Sequence, residues 1–317
     1  MTATDGETAK MKYAFDPELV PLLELLPATD LSLTVQQRRA VTASMLEGVN
    51  ANVNTDGIDI VDHEIPTLVR LYSPAHTPGP SPALLDIHGG GFVTGSIAMQ
   101  HASAVNAVRT LGVRVAVVEY RLAPENPFPA GLDDCYAALC WLYDNAASLG
   151  IIQERIAVGG QSAGGGLAAA TTLLARDRGG PSVCFQLLGI PELDHRLDSP
   201  SMRAFDDTPL WSRPQAEASW RDYLGPETKD VSPYASPAIA QDLHGLPPAY
   251  VTTMEFDPLR DEGITYALRM LQAGVSVELH NYPGTFHGSM IATSAAVTRR
   301  AQAEHLVALA RGLGVDH

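Results

Sequence analysis

RIAVGGQSAGGGLAAA, residues 155–170, indicates the architecture of this chain more clearly than any other segment. It begins with a short apolar β-type run and passes into a helical run at residues 167–175, so GQSAG at residues 160–164 forms the turn between them. Such a tight turn strains the dihedrals of Ser162 and leaves no space for neighbouring Cβ atoms, which explains the glycines on both sides. The pattern predicts a nucleophile elbow, with the Ser162 hydroxyl projecting above a sheet.

The pentapeptide alone is weak evidence, and two other interpretations compete with it. A phosphate-binding loop would need a Lys followed by Ser or Thr after the glycines, and this chain lacks that pair there. A glycine-rich turn that only packs a helix onto a sheet stays open until further motifs are considered. For a nucleophile, the helix start at Ser162 would add a partial positive field that favours an anionic intermediate.

A second glycine run, HGGGF at residues 88–92, follows an apolar strand-like run well before Ser162. Acyl transfer needs backbone N–H donors aimed at an oxyanion, and consecutive glycines let the main chain approach a substrate closely. We predict Gly90 and Gly91 as donors, with the N–H of Ala163 as the third. A merely flexible loop is the alternative, but such loops seldom follow a buried strand in a chain that also carries a serine elbow.

The general base should be a histidine late in the chain, because hydrolases with this elbow follow the order Ser, acid, His. His287 lies in a loop just past the strand-like run 275–280, where catalytic side chains are normally displayed. His280 lies inside that run and is interpreted as structural. His244 comes too early in the order, and His88 is interpreted as a residue that orients the glycine loop.

The acid should follow the strand that precedes the strand of His287, which is the run 250–253. We predict Asp257, because Pro258 suits the first turn of a helix and holds the preceding residue in extended geometry. A plain helix N-cap is the alternative role for this aspartate. Glu255 and Asp261 are the competing acids, the first close to the strand end and the second already inside the helix.

The chain from Pro82 onward alternates short β-type runs with helical patterns, which predicts a parallel sheet covered by helices on both faces. A turn-rich connector at residues 74–82 joins two strands. The predicted core strands are residues 83–87, 113–119, 156–158, 183–190, 249–253 and 275–280.

Two segments break this alternation, residues 1–50, with a helical pattern at 35–46, and residues 192–234. Long excursions between a strand and the next helix commonly cover the site, because ligands bind at the carboxyl ends of the strands. We therefore predict that residues 1–50 form the N-terminal part of a cap and that 192–234 is the cap insertion packed against it. Residues 51–191 and 235–317 form the core. A solvated surface loop is the alternative for the insertion, although structureless loops of that length are uncommon.

Charge and composition exclude several classes of partner. The chain has 317 residues with 21 basic and 36 acidic side chains, a net charge of −15, which repels nucleic acid and anionic membrane surfaces. No window approaches the roughly 18 consecutive apolar residues of a membrane span, and Met1 to Lys12 lack a leader pattern, so we expect a cytoplasmic protein. The three cysteines lack metal-type spacing and are interpreted as reduced core residues. No metal or organic cofactor is predicted.

With these residues placed, the sequence resembles the bacterial hormone-sensitive-lipase family of carboxylesterases from about Ala83 to the C-terminus. The motifs that carry the resemblance are HGGGF (88–92), YRLAPE (120–125), the serine elbow (160–164), DPLRDEG (257–263) and FHG (286–288). The resemblance implies an α/β-hydrolase fold, a mostly parallel eight-stranded sheet flanked by helices with a helical cap. It also implies a homodimer formed through an edge element.

Two positions depart from the family pattern. Gln161 stands where much of the family carries Asp before the nucleophile, and Gly166 stands where Asn is frequent. Neither alters the predicted triad of Ser162, Asp257 and His287. Position 161 is close enough to the elbow to alter its supporting hydrogen bonds, so fine specificity does not carry over from the Asp-bearing branch.

These motifs predict a serine carboxylesterase that hydrolyses small-molecule esters through an acyl-enzyme, with a preference for acetyl to butyryl groups. Trp211, Trp220 and Tyr223 in the predicted cap indicate a bulky apolar alcohol side, and Phe92 is predicted to wall the other side. Core packing is the alternative for each aromatic ring. An amidase or peptidase with the same triad, or a non-catalytic ligand receptor, are the alternative functions.

Overall fold

The computed structural model describes residues 12–26, 32–76, 79–226 and 229–316. Its strands are β1 (Ile58–Glu64), β2 (Leu68–Pro74), β3 (Ser81–Ile87), β4 (Arg114–Glu119), β5 (Ile151–Gln161), β6 (Phe185–Gly189), β7 (Ala249–Phe256) and β8 (Val277–Phe286). Its helices are α1 (Val20–Leu25), α2 (Val35–Asn50), α3 (His101–Leu111), α4 (Ala130–Asp144), α5 (Ala163–Asp177), α6 (Pro200–Ala204), α7 (Arg213–Leu224), α8 (Arg260–Gln272) and α9 (Ala296–Leu313). Short 3₁₀ turns lie at Ile97–Gln100, Pro237–Ile239 and Ser289–Ile291.

The eight strands form one sheet in the order β1-β2-β4-β3-β5-β6-β7-β8. β2 pairs antiparallel with β1 and with β4, and the pairs from β4 to β8 are all parallel. Parallel strands are covered on both faces, and accordingly every residue of β3 and β6 is buried. The predicted mostly parallel, eight-stranded sheet is confirmed.

Two layers of helices bury the two faces of the sheet. One hydrophobic cluster joins the strands to α4, α5 and α8, and the other joins them to α3 and α9. Neighbouring residues of β5 divide between the layers, with Ile156 and Val158 in the first cluster and Ala157 in the second. No helix in the described part of the chain is both long and apolar enough to span a membrane.

The segments that interrupt the alternation are largely helical. α1 and α2 precede β1, while α6 and α7 lie between β6 and β7. The two segments touch, because the Tyr13 and Phe205 rings lie 5.7 Å apart and Arg38 Nη2 lies 3.9 Å from Asp222 Oδ2. Arg39 of α2 also donates to the carbonyl of Val93, 2.8 Å away, beyond the HGGGF loop.

Parts of these predicted segments cannot be compared with the structure. The predicted cap ranges include residues 1–11, 27–31, 227 and 228, and the predicted connector includes residues 77 and 78, all of which lie outside the described residues. The division into cap and core therefore stays a prediction.

Four parallel strands end at the same edge of the sheet, each directly before a residue singled out from the sequence. β3 is followed by His88, β5 by Ser162, β7 by Asp257 and β8 by His287. Since the carboxyl ends of parallel strands share one edge, residues far apart in sequence come together there.

Candidate active site

Ser162 occupies a sharp turn between β5 and α5. Its φ of 58° and ψ of −124° lie outside the ordinary regions for a non-glycine residue, and its N–H donates to the carbonyl of Gly189 at 2.9 Å. A Cβ at Gly164 would collide with the carbonyl oxygen of Ile87, so only glycine lets the elbow lie this close to β3. The predicted strand–turn–helix geometry at the serine is present.

His287 bridges Ser162 and Asp257. Its Nε2 lies 3.0 Å from Ser162 Oγ, and its Nδ1 lies 2.8 Å from Asp257 Oδ2. The carboxylate can only accept from Nδ1–H, so in the neutral ring Nε2 is the acceptor for the serine hydroxyl. All three side chains are buried, with exposures of 7% for Ser162, 8% for His287 and 0% for Asp257. The structure thus brings the three predicted residues into one hydrogen-bonded chain.

The competing acids have other hydrogen-bond partners. Glu255 Oε2 accepts from the N–H of Gly284 at 2.6 Å, and Asp261 Oδ2 accepts from the N–H of Ser201 at 2.7 Å. Asp257 uses its second oxygen to accept a backbone N–H two residues further on at 2.9 Å, at the start of the turn into α8. Asp257 therefore combines the imidazole contact with a local Asx turn.

The competing histidine, His280, lies within β8 and pairs with acidic side chains instead. Its Nδ1 lies 3.1 Å from Glu304 Oε2 and its Nε2 lies 2.9 Å from Glu278 Oε1. His280 therefore lies on an edge strand of the sheet with both ring nitrogens paired to glutamates rather than to Ser162, as expected for a structural residue.

The HGGGF loop passes directly beside the serine, since a Cβ at Gly89 would lie 3.4 Å from Ser162 Cβ. The carbonyl of Gly90 accepts from the N–H groups of Val93 and Thr94 at 3.1 and 2.9 Å and from Thr94 Oγ1 at 3.0 Å. Hydrogen bonds to a peptide carbonyl polarise the whole peptide group, so the N–H of Gly91 becomes a stronger donor.

The N–H of Gly90 is polarised in the same way by His88. His88 Nδ1 lies 2.8 Å from the carbonyl oxygen of Gly89, the other end of the Gly90 peptide. Complete burial lowers the pKa of His88 to about 4, so the ring is neutral and carries its proton on Nδ1 to make this bond. Tyr120 holds the ring in place by stacking at 4.2 Å and donating to the His88 carbonyl at 3.0 Å.

The third predicted donor, the N–H of Ala163, stands at the first position of α5, where helix geometry provides no acceptor for it. The carbonyl of the same peptide, that of Ser162, accepts from the N–H groups of Gly166 and Glu192 at 3.0 and 3.1 Å. All three predicted donors thus belong to peptides whose carbonyls are hydrogen-bonded away from the serine.

Trp211 lies between the glycine loop and the imidazole. Its ring centre is 5.7 Å from that of His287, and its Cη2 atom would lie 2.6 Å from a Cβ at Gly91. Because Gly91 also has a φ of 57°, a side chain there would be strained as well as crowded. The indole therefore covers the glycine loop next to the serine.

Phe92 is 2% exposed and belongs to the main core cluster. Its ring stacks on Tyr223 at 4.0 Å and lies 5.4 Å from Trp220, so both of these α7 aromatics pack on it. For these three rings the structure shows core packing, and a contact of Phe92 with substrate stays a prediction.

Sequence reasoning missed two buried polar residues, Glu192 and Ser219. The Ser219 hydroxyl, 4% exposed, donates to the carbonyl of Gly91 at 2.8 Å. The Glu192 side chain is 0% exposed, and its burial, with the nearby Asp257, raises the pKa of its carboxyl to about 8. The only signal in the sequence is an acidic residue at the third position after the apolar strand β6.

No group of three His, Cys, Asp or Glu side chains is arranged to hold a metal ion within residues 12–26, 32–76, 79–226 and 229–316.

The strand order and the serine elbow after β5 define an α/β-hydrolase. A family model described as alpha/beta hydrolase fold matches residues 84–291 of the chain. The carboxylesterase NlhH of Mycobacterium tuberculosis is 39% identical over 289 residues, covering 86% of this chain and 88% of that protein. Esterase LipI of the same organism is 36% identical over 296 residues, covering 89% of each chain.

A solved structure named bacterial heroin esterase superposes with a TM-score of 0.92 at 52% sequence identity, covering 95% of this chain and 98% of that one. The chain belongs to the hormone-sensitive-lipase-like family of α/β-hydrolases and is a carboxylic ester hydrolase. The predicted family, fold and enzyme class are confirmed.

Proposed function

We propose that this enzyme hydrolyses short-chain acyl esters, acetyl to butyryl, through an acyl-enzyme on Ser162. The observation that carries the proposal is the imidazole of His287, bonded at 3.0 Å to Ser162 Oγ and at 2.8 Å to Asp257 Oδ2. A serine hydroxyl is a weak nucleophile until a positioned base removes its proton, and this geometry supplies that base.

In the first step, Ser162 Oγ attacks the ester carbonyl carbon while its proton passes to His287 Nε2. Asp257 accepts Nδ1–H throughout, which fixes the tautomer and stabilises the imidazolium that forms. The imidazolium then returns the proton to the leaving alkoxide, so that an alcohol departs and an acyl ester on Ser162 remains.

The negative charge on the carbonyl oxygen would be received by the N–H groups of Gly90, Gly91 and Ala163. Their polarised peptides and the N-terminal end of α5 support this role, because donors fixed before the reaction need no reorganisation as charge develops. In the second step, His287 takes a proton from water, the hydroxide attacks the acyl carbon, and the imidazolium returns the proton to Ser162 Oγ as the carboxylic acid departs.

Replacing the nucleophile tests the mechanism. Ser162→Ala should lower kcat on p-nitrophenyl acetate by about a million-fold, or about 8 kcal/mol of barrier, and abolish labelling by a fluorophosphonate. The control is Ser148→Ala, an exposed serine whose hydroxyl only donates to the Asn145 carbonyl at 2.9 Å. Retention of a tenth of the wild-type rate by Ser162→Ala would refute the assignment.

The short acyl preference is supported by Trp211, whose indole occupies the space beside Gly91 and His287. Among p-nitrophenyl esters of two to twelve carbons, kcat/KM should peak at two to four. Trp211→Ala should move the maximum to longer chains, because it empties space next to the serine, whereas Trp141→Ala, on α4, should not. A wild-type maximum at ten or more carbons would contradict the proposal. Selectivity for esters over amides is a separate question, which a matched ester and amide assayed together would measure.

We further propose a cytoplasmic homodimer formed through β8. This strand is an edge of the sheet, and Leu268 and Leu271 on the adjacent helix α8 are 51% and 48% exposed. The three cysteines are free, as fits a reducing compartment. Light scattering of the wild type and Leu268→Glu tests the dimer, and cell fractionation tests the compartment.

A further inference from the structure

The carboxyl of Glu192 occupies an unusual position, directly beneath the serine elbow. Its backbone N–H donates to the Ser162 carbonyl at 3.1 Å, and its side chain is completely buried. Neither carboxyl oxygen has a hydrogen-bond partner among the described residues. The side chain that lies beside the carboxyl is that of Ser219. A buried carboxyl with so few partners is costly to keep, which indicates a role.

Ser219 connects helix α7 to the glycine loop. Its hydroxyl donates to the carbonyl of Gly91 at 2.8 Å, and this hydrogen bond links α7 to the glycine loop. A hydroxyl has one proton to donate and two lone pairs that accept. With its proton on Gly91, Ser219 Oγ can only be the acceptor in a further hydrogen bond, so a bond between Ser219 and Glu192 requires a protonated carboxyl as the donor.

We propose that Glu192 and Ser219 are positioning residues that hold the Gly91 carbonyl, and with it the oxyanion loop, against helix α7. The proposed order of donation runs from the neutral Glu192 carboxyl to Ser219 Oγ, and from the Ser219 hydroxyl to Gly91. This inference rests on the proposed function, because it gives these residues a role only if Gly90 and Gly91 receive the oxyanion.

The charges around Glu192 favour its neutral form. The carboxyls of Asp257, directly after β7, and Glu262, on α8, disfavour a negative charge on Glu192. Tyr120 and Tyr223 are neighbouring buried phenols whose pKa values burial raises. Ser219 is the neighbouring group whose influence opposes this effect, and its proton is on the Gly91 carbonyl. With burial as the largest cause, the pKa of Glu192 lies at about 8, so the carboxyl holds its proton at neutral pH.

Ionisation of Glu192 would reverse the arrangement. A carboxylate is a stronger acceptor than a peptide carbonyl, so it would draw the single Ser219 proton away from Gly91. The Gly91 peptide would then lose the bond that fixes it, and oxyanion stabilisation would fall. Activity should therefore decline as pH rises through about 8.

The first experiment removes the hydroxyl. Ser219→Ala should lower kcat on p-nitrophenyl acetate about ten-fold with KM changed less than about two-fold, because the loop acts on the transition state; direct removal of an oxyanion donor costs about a hundred-fold or more. The matched control is Ser236→Ala, which also removes a buried hydroxyl that donates to a backbone carbonyl, that of Leu193 at 2.9 Å. Equal kcat values for Ser219→Ala and the wild type would overturn the proposal.

The second experiment removes the ionisation. Glu192→Gln keeps a donor beside Ser219 at every pH, so it should keep the wild-type kcat at pH 7 and lose the decline above pH 8. The control is Glu262→Gln, since burial also raises the pKa of that carboxyl, which accepts from the N–H groups of Leu193 and Asp194 at 2.6 and 3.2 Å. This control should keep the wild-type profile, and a decline that persists in Glu192→Gln would count against the relay.

Failure of the proposed function has a different signature. If the wild type does not react with the fluorophosphonate and Ser162→Ala retains the wild-type activity, the serine mechanism is wrong. The inference then fails with it. If the wild type behaves as proposed and only the Ser219 and Glu192 variants are indistinguishable from it, the inference alone is wrong.

Discussion

Two buried carboxyls lie close to the same serine elbow, and their surroundings differ. Asp257 and Glu192 are both 0% exposed. Asp257 accepts from His287 Nδ1 at 2.8 Å and from the N–H of Leu259 at 2.9 Å, so each of its oxygens has a donor. Glu192 has no such donors, and the pKa of its carboxyl rises to about 8. The comparison teaches that two carboxyls buried to the same depth can differ in whether their surroundings supply hydrogen-bond donors.

This difference assigns opposite tasks to the two residues under the proposed function. Asp257, with a donor on each oxygen, is suited to hold and stabilise an imidazolium, whereas a protonated Glu192 is suited to donate a hydrogen bond. Sites that need both an acceptor and a donor carboxyl commonly separate them by environment in this way.

The sharpest test of the comparison replaces each carboxyl by its amide. Asp257→Asn should lower kcat about ten-thousand-fold, because an amide favours the wrong imidazole tautomer, whereas Glu192→Gln should change kcat less than about three-fold at pH 7. Steady-state rates on p-nitrophenyl acetate measure both. Similar losses in the two variants would show that the carboxyls share one task.

A second prediction concerns the pH dependence of stability. The ordinary pKa of a glutamate is 4.5, and that of Glu192 in the folded protein is about 8. Between these values the unfolded chain has released the proton that the folded chain keeps, so this carboxyl makes the free energy of unfolding fall as pH rises, and the loss is complete above about 8.

Urea unfolding at several pH values between 5 and 8 would measure this contribution. The wild-type free energy of unfolding should fall more steeply than that of Glu192→Gln, by up to about 1.4 kcal/mol per pH unit. Parallel curves for the wild type and Glu192→Gln would mean that Glu192 is already ionised in the folded protein.

The smallest expected effect concerns the support of the Asp257 loop. Ser201 of α6 is completely buried, donates to the Pro258 carbonyl at 2.8 Å and accepts from the N–H of Asp261 at 3.0 Å. Ser201→Ala leaves one buried and one part-buried backbone group unpaired, so the free energy of unfolding should fall by about 1 to 3 kcal/mol. Exposed Ser148→Ala should stay within about 0.5 kcal/mol of wild type. Equal stabilities would show that water replaces the lost partner.

Local sequence patterns were sufficient to predict which loops carry the candidate catalytic residues. The loops after β3, β5, β7 and β8 follow apolar runs and carry glycine or proline signals, so their order along the chain predicted which side chains meet. Pro258 favoured Asp257 over Glu255 and Asp261, and the coordinates add the contact of its carboxylate with the imidazole. The exposed edge strand β1 was missed because its sequence, IDIVDHE, lacks a buried face.

Glu192 and Ser219 could not be found in the sequence for a different reason. Each is an ordinary polar residue locally, one after a strand and one on a surface-type helix. Their burial arises only when α7 packs Trp220 and Tyr223 against Phe92, a contact between segments far apart in sequence. Tertiary packing of this kind leaves no periodic or turn signal.

The insertion between β6 and β7 touches both halves of the site, through Ser201 of α6 at the Asp257 loop and Ser219 of α7 at the Gly91 carbonyl. A chimera that exchanged residues 192–234 for those of a relative would therefore transplant more than a substrate-binding surface. It would also replace Ser201 and Ser219, the two side chains that support the catalytic loops by hydrogen bonds. Grafted segments should therefore be selected for turnover as well as for substrate range.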